Sequence, residues 1–286
     1  MGRYNKILVA VDGSDSSKNA LKQAFKFAFD EKMWITVVAI DPPYTGDLDL
    51  VGVSNIKDVL KGQGEQILAE AREIAEQENA SIKPRHEEGL VYEKIIDIAN
   101  EEKCDLIVMG RSGKSNIERS LMGSVTAKVV GHFSGRSLVI PLDSSVGWKN
   151  ILVATDGSPY SDAALDEAIN YAKSYGGNLN IVNVVYTNDE FLATAPDVLD
   201  KMISNAKKSL EETKDRASKK GIDANVYVRE GEPYKAIVDL ARELDIDTII
   251  MGSHGRTGIK RLLMGSVTSR VIGYSSSPVM VVNQAR

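Results

Sequence analysis

The chain contains its own pattern twice. NKILVAVDGSDSSKNALKQAFKFA, close to the start, returns as KNILVATDGSPYSDAALDEAINYA, so that Ile7 to Ser14 are answered by Ile151 to Ser158. A period near 144 residues is far longer than that of a solenoid repeat, and a unit of that size can bury a core of its own. Two domains are therefore expected, 1–144 and 145–286. The stretch PLDSSVGWK (141–149), with proline, glycine and paired serines, reads as the linker.

Within each copy, apolar runs of strand length alternate with segments of helical period. ILVAVD, WITVVAI, a weaker SIKPRHEEG, DLIVMG and SLVIPL are the expected strands of the first copy; ILVATD, NLNIVNVVY, DANVYVREG, DTIIMG and PVMVVN are those of the second. Their β-branched, nearly continuous character implies strands covered on both faces, hence a parallel sheet between helices. Crossover helices are expected at about 15–30, 55–79, 91–102 and 124–133, with counterparts in the second copy. Ser158 followed by Pro159 is an N-cap with proline at the first helical position, and Ser14 is placed alike. The expected fold is a doubly wound α/β domain, present twice.

Charge narrows the functional classes. Lys and Arg (35) are mixed among Asp and Glu (40), for a formal net charge of -5, and no basic stripe invites nucleic acid. The opening MGRYNKILVAVDGS lacks an apolar targeting segment, and no apolar run approaches the ~18 residues of a membrane span, so a soluble, cytoplasmic protein is expected. Cys104, matched by Ile246 in the second copy, reads as a small buried apolar residue.

Parallel α/β sheets place ligands beyond the carboxyl ends of the strands, where the winding direction reverses. That rule selects Val11 and Asp12 after the first strand with Met109 and Gly110 at the fourth, and likewise Thr155, Asp156, Met251 and Gly252. MGRSGKSNIERSLMGSV (109–125) contains GRSGKS, which looks like a phosphate loop, but the spacing demands glycine at position 108, where Val108 stands. MGSHGRTGIKRLLMGSV (251–267) repeats that segment. The shared device is G-x-x-G, nine residues, then G-S: Gly110, Gly113, Gly123 and Ser124, answered by Gly252, Gly255, Gly265 and Ser266. Two readings compete. Glycines allow the backbone to approach a ligand, and the orphan N–H groups of the following helix favour an anion such as phosphate. Alternatively, they shape a strand-to-helix loop and the serine caps the helix. Asp12 and Asp156 divide similarly between ligand contact and hydrogen bonds to local N–H groups. His254 replaces Ser112 in the second loop and faces either solvent or phosphate. No second metal ligand stands near it, so no metal site is assigned. The segment 41–55 reads as a flap or as an ordinary loop, and its Asp41, Asp47 and Asp49 would report on a bound triphosphate.

Each copy resembles a universal stress protein domain of the ATP-binding subclass, through VDGS and TDGS, MGRSGKS and MGSHGRT, LMGSVT in both halves and a closing strand in each. The resemblance implies five-stranded sheets of order 3-2-1-4-5, like those of adenine nucleotide alpha hydrolases, joined through SLVIPL and PVMVVN as an intrachain pseudo-dimer. It implies ATP or AMP in each domain. Adenine would meet Ala39 or Val184; Val11 and Asp12, or Thr155 and Asp156, would lie near base and ribose. Phosphates would lie over Gly110, Gly113, Gly123, Ser124 and Val125, or Gly252, Gly255, Gly265, Ser266 and Val267, with Mg²⁺ or Mn²⁺ held largely by phosphate and water. Ser112 and Asn116 against His254 and Gly258 distinguish the two sites. A homodimer of chains and a downstream protein partner follow from the same likeness.

The implied function is a stress or signalling module acting through nucleotide-dependent shape or assembly, with slow ATP hydrolysis at most, since no Ser-His-Asp set or close carboxylate pair is offered for fast chemistry. An ATP pyrophosphatase or adenylating enzyme of related fold would need S-G-G-x-D-S after the first strand, where VDGSDSS or TDGSPYS stands. A flavin-binding electron-transfer module shares the architecture as well.

Overall fold

The computed structural model describes residues 4–31, 33–43, 56–113, 122–188, 196–256 and 264–283. The chain divides into two compact units, Met1–Asp143 and Ser144–Arg286. In the first, β1 (Lys6–Ala10), α1 (Asp15–Glu31), β2 (Trp34–Asp41), α2 (Ile56–Gln77), β3 (Lys83–Glu88), α3 (Val91–Glu101), β4 (Leu106–Gly110), α4 (Ser124–His132) and β5 (Arg136–Ile140) follow one another. All neighbouring strands are parallel, in the order β3-β2-β1-β4-β5. The helices expected from periodicity end within two residues of those observed.

The sheet explains the composition of its strands. KILVA and LIVMG lie in the middle of the order and are buried almost throughout. The weak strand is β3, whose burial is partial and which carries Pro84. A proline deprives a sheet of one N–H, and the outer position of β3 leaves that donor unneeded. Leu8, Ala10, Val38, Ile107 and Met109 present one face to Ile95, Ile98 and Ala99 of α3, to Val129 within α4 and to Phe133 just beyond it. Helices α1 and α2 pack on β1, β4, β2 and β3.

The second unit repeats the plan with β6 (Asn150–Ala154), α5 (Pro159–Tyr175), β7 (Asn178–Val185), α6 (Pro196–Lys219), β8 (Ala224–Glu230), α7 (Pro233–Glu243), β9 (Thr248–Gly252), α8 (Ser266–Tyr274) and β10 (Val279–Val282). Its strands are parallel in the order β8-β7-β6-β9-β10. Ser158 accepts a hydrogen bond from the Ser161 N–H at 3.2 Å, and Ser14 accepts from Ser17 at the same distance. Both expected caps are present. The turns that lead into them need Gly13 (φ 78°) and Gly157 (φ 75°), since that left-handed conformation disfavours any side chain.

The expected linker is partly something else. Trp148 is buried and stacks on Tyr171 with ring centroids 4.0 Å apart and planes 13° apart, with Tyr175 completing the stack. The Thr248 hydroxyl donates to the Gly147 carbonyl at 2.9 Å. Residues 147–149 are therefore fastened into the second domain, because an indole beside two phenol rings has more apolar surface to hide than a linker can leave in water.

Candidate functional site

The ends of the first strands are held by their neighbours. Val11 N–H donates to the Val38 carbonyl and Thr155 N–H to that of Val182, each at 2.9 Å, so the chain leaves β1 and β6 in a fixed direction. Asp12 Oδ1 then accepts from the Ser14 N–H (3.0 Å) and hydroxyl (2.6 Å). Asp156 Oδ1 accepts from Ser158 N–H at 3.0 Å, and its Oδ2 accepts from the Arg256 N–H at 2.7 Å. The local hydrogen-bonding role expected of these aspartates is present, and in the second domain the carboxylate also ties the first-strand turn to the glycine loop. Burial works to raise the Asp156 pKa, but the Ser158 hydroxyl and N–H and the Arg256 N–H outweigh it and hold the group below the usual carboxylate value.

The glycines separate into different tasks. A Cβ at Gly110 would lie 2.8 Å from the Ser16 carbonyl carbon, and one at Gly252 2.7 Å from that of Tyr160. These two let the fourth strand pass directly beneath the first helix, which is a packing requirement. A Cβ at Gly113 would land on Asp12 Oδ2, and one at Gly255 would stand 2.6 Å from Asp156 Oδ2. Neither requires positive φ; their reason is close passage of the loop over the carboxylate. At Gly123 a Cβ would meet nothing nearer than 3.5 Å, and φ is an ordinary -60°. Nothing within the described part of the fold demands glycine there.

Gly123 and Gly265 are the N-caps of α4 and α8, and neither helix has a side-chain cap. The caps are drawn onto the fourth strands by Gly123 N–H to Arg111 O (2.9 Å) and Gly265 N–H to Ser253 O (2.8 Å), with Thr126 and Thr268 hydroxyls donating to Gly110 and Gly252 carbonyls at 3.1 and 2.9 Å. Ser124 and Ser266 are thus first helical residues, not caps, and both are exposed. Val125 and Val267 follow them in the first turn.

In the second domain these parts surround a cleft of about 750 Å³. Thr155, Asp156, Val184, Met251, Gly252, His254, Gly255, Gly265, Ser266 and Val267 all line it. One end is bounded by the glycine loop and the start of α8; the other is mainly apolar, made by Val182, Val184 and Val185 with Met202, Ala206 and Ile237, and also carries Asn183 and Asn205. His254 shares its Nδ1 with the Ser253 hydroxyl (3.1 Å) and its ring lies 5.2 Å from that of Tyr160. In the first domain, Val11, Asp12, Met109, Gly110, Ser112, Gly113, Gly123, Ser124 and Val125 occupy the corresponding places in the strand and helix order. Asn116 and Gly258 lie outside the described residues.

Some expectations need correction. Ala39 and Val184 are not equivalent: Ala10 pairs with Val38 and Ala154 with Val182, so Ala39 matches Asn183 and Val184 matches Ile40. Both lie inside their strands, which end at the matched pair Asp41 and Val185. Asp41 does not belong to a flap; it closes β2, and its Oδ2 lies 2.6 Å from His86 Nε2. Asp47 and Asp49 lie outside the described residues. Sequence reasoning also passed over the α6 wall, Met202, Asn205, Ala206 and Ser209, although spacings of three, one and three mark one helical face.

No group of three or more metal-ligating side chains occurs among the described residues, nor any helix long and apolar enough to cross a membrane. A family model described as the universal stress protein family matches residues 3–141 and again 147–283. A universal stress protein of Mycolicibacterium smegmatis is 25% identical over 290 residues, spanning 96% of this chain and 96% of its own. The universal stress protein YxiE of Bacillus subtilis is 32% identical over 149 residues, 47% of this chain and 99% of its own. Among solved structures, a universal stress protein from Archaeoglobus fulgidus superposes with a TM-score of 0.76 at 25% identity, covering 98% of this chain and 97% of that one.

Proposed function

This chain belongs to the universal stress protein family, and from that premise we propose that each of its domains binds one adenine nucleotide, ATP or AMP, and signals stress through the shape or assembly that the ligand favours. The observation that carries this reading is the cleft of the second domain, with its unlike ends. An apolar end between β7 and α6 suits a planar base. At the other end, uncapped N–H groups of α8, the positive end of its dipole and the exposed Ser266 hydroxyl suit phosphate. Gly123, for which the described fold gives no steric reason, supports the same use of the first domain, since a bare cap lets phosphate oxygens approach the backbone.

Asp156, in the lining of the second cleft, and Asp12 at the matching place in the first domain are suited to a ribose hydroxyl. A divalent ion, Mg²⁺ or Mn²⁺, would be carried mainly by the phosphates and water. Hydrolysis is slow at most in this reading, and the chain works in the cytoplasm as a homodimer with a protein partner downstream.

Calorimetric titration of nucleotide-stripped protein with Mg-ATP, followed by assay of the same sample for ADP, tests it. Two sites per chain and little ADP are expected. Gly113→Val and Gly255→Val should each remove one site; unchanged stoichiometry in both would sink the loop assignment.

A further inference from the structure

At the positions that match the apolar end of the second domain's cleft, the first domain carries different chemistry. In the second, Val185 closes β7 and lines the cleft together with Ala206 of α6, while Val228 of β8 stands opposite Asn183, two residues before Val185. The first domain places Asp41, His86 and Gly64 at the matching positions. These three form one unit: His86 Nε2 meets Asp41 Oδ2 at 2.6 Å, and a Cβ on Gly64 would stand 2.7 Å from Asp41 Oδ1 and collide with the imidazole. The glycine is what makes room for the pair.

The fold does not require this set, because the sister domain fills the same positions with Val, Val and Ala. Such an apolar set is commonly at least as stable as a buried polar pair, and glycine inside a helix is less favourable than alanine. The polar set therefore asks for another reason. Asp41 is 6% exposed, much as Val185 is at 5%, and Val185 lines the second cleft. Among the described residues Asp41 Oδ2 is taken by His86, whereas Oδ1 has no hydrogen-bond partner. A carboxylate only accepts, so what completes Oδ1 must donate.

Resting on the reading that each domain binds a nucleotide, we propose that Asp41, held by His86 beneath Gly64, selects the base in the first domain by accepting a hydrogen bond from an exocyclic amine, while the second domain has Val185 at that position. His86 is a positioning residue in this arrangement. It fixes the carboxylate rotamer and does not itself touch the base.

ATP and purine riboside triphosphate, which lacks the 6-amino group, are the probes, titrated into the stripped intact chain and into Gly255→Val, which retains the first site. Loss of a hydrogen bond to a charged acceptor predicts that the first site binds the deaminated analogue about tenfold or more weakly than ATP, with the second site changing by about twofold or less. The triple variant Asp41→Val, Gly64→Ala, His86→Val, which copies the sister domain, should still bind ATP at both sites and lose the discrimination. Asp41→Asn, the smaller change, should reduce it while leaving the circular dichroism spectrum unaltered. If both sites treat the two nucleotides alike, or the triple variant still discriminates, the proposal is wrong while nucleotide binding stands. If neither nucleotide binds the intact chain, both the proposal and the function it rests on are wrong.

Discussion

Glu102 shows how much a single side chain can be made to do by its surroundings. Its carboxylate is 5% exposed and receives Lys83 Nζ and the Thr36 hydroxyl at 2.8 Å, Arg85 at 3.2 Å and Lys6 at 3.5 Å. Burial works to raise its pKa, but the donated hydrogen bonds of Lys83 and Thr36 and the nearby ammonium groups win and bring it down to about 2. A carboxylate depressed in the folded state stabilises the fold above its unfolded pKa and ceases to do so as pH falls toward the folded value. Glu102→Gln should therefore lower stability by about 1–2 kcal/mol at neutral pH, after discounting for the solvent around Lys83, and the gap from wild type should close between about pH 4.5 and pH 2 in urea titrations. A gap that stays constant with pH would show that packing, not charge, is what the variant loses. The second domain puts Leu244 at the same cap position and should show no such window. Nearby, burial pushes the Cys104 thiol up to about 12. Maleimide should leave the native protein untouched at neutral pH and label it once in denaturant; fast native labelling would contradict the buried assignment.

At the scale of elements, the glycine loop was legible as a device but not as a division of labour. Spacing alone could not tell Gly110, which lets β4 slide under α1, from Gly123, which nothing in the described fold crowds. That difference depends on which backbone passes overhead, and the passing helix is far away in sequence. It yields paired expectations. Gly252→Ala should cost about 1–3 kcal/mol by forcing α5 away from β9 and should lower the melting temperature. Gly123→Ala should leave stability within about 0.5 kcal/mol, as surface changes usually do, while weakening nucleotide binding severalfold. Equal melting temperatures for the two variants would overturn the distinction. The strands and helices themselves were readable, because buried parallel strands are written as apolar runs and caps as Ser followed by Pro. The base end was not. Asp41 looked like part of a loop and His86 carried no signal, since a pair separated by 45 positions meets only when β2 and β3 are side by side. Register misled in the same way, by the one residue that separates Ala39 from the true partner of Val184.

At the scale of the molecule, duplication means that every local change has an internal control. A substitution in one domain can be judged against the untouched copy in the same sample, at the same concentration and salt. The chain also has two tryptophans, and each domain received one. Trp34 is 75% exposed, whereas Trp148 is 7% exposed within its stack on Tyr171. An indole already in water changes its emission little on unfolding; one taken from a stack shifts to the red. Intrinsic fluorescence should accordingly follow the second domain alone, and far-ultraviolet dichroism should follow both. Gly110→Ala would then move the dichroism curve and leave the fluorescence midpoint in place, and Gly252→Ala would move the two together. Should both variants shift fluorescence equally, the domains melt as one cooperative body, and the stack at Trp148 becomes a lamp for the whole chain.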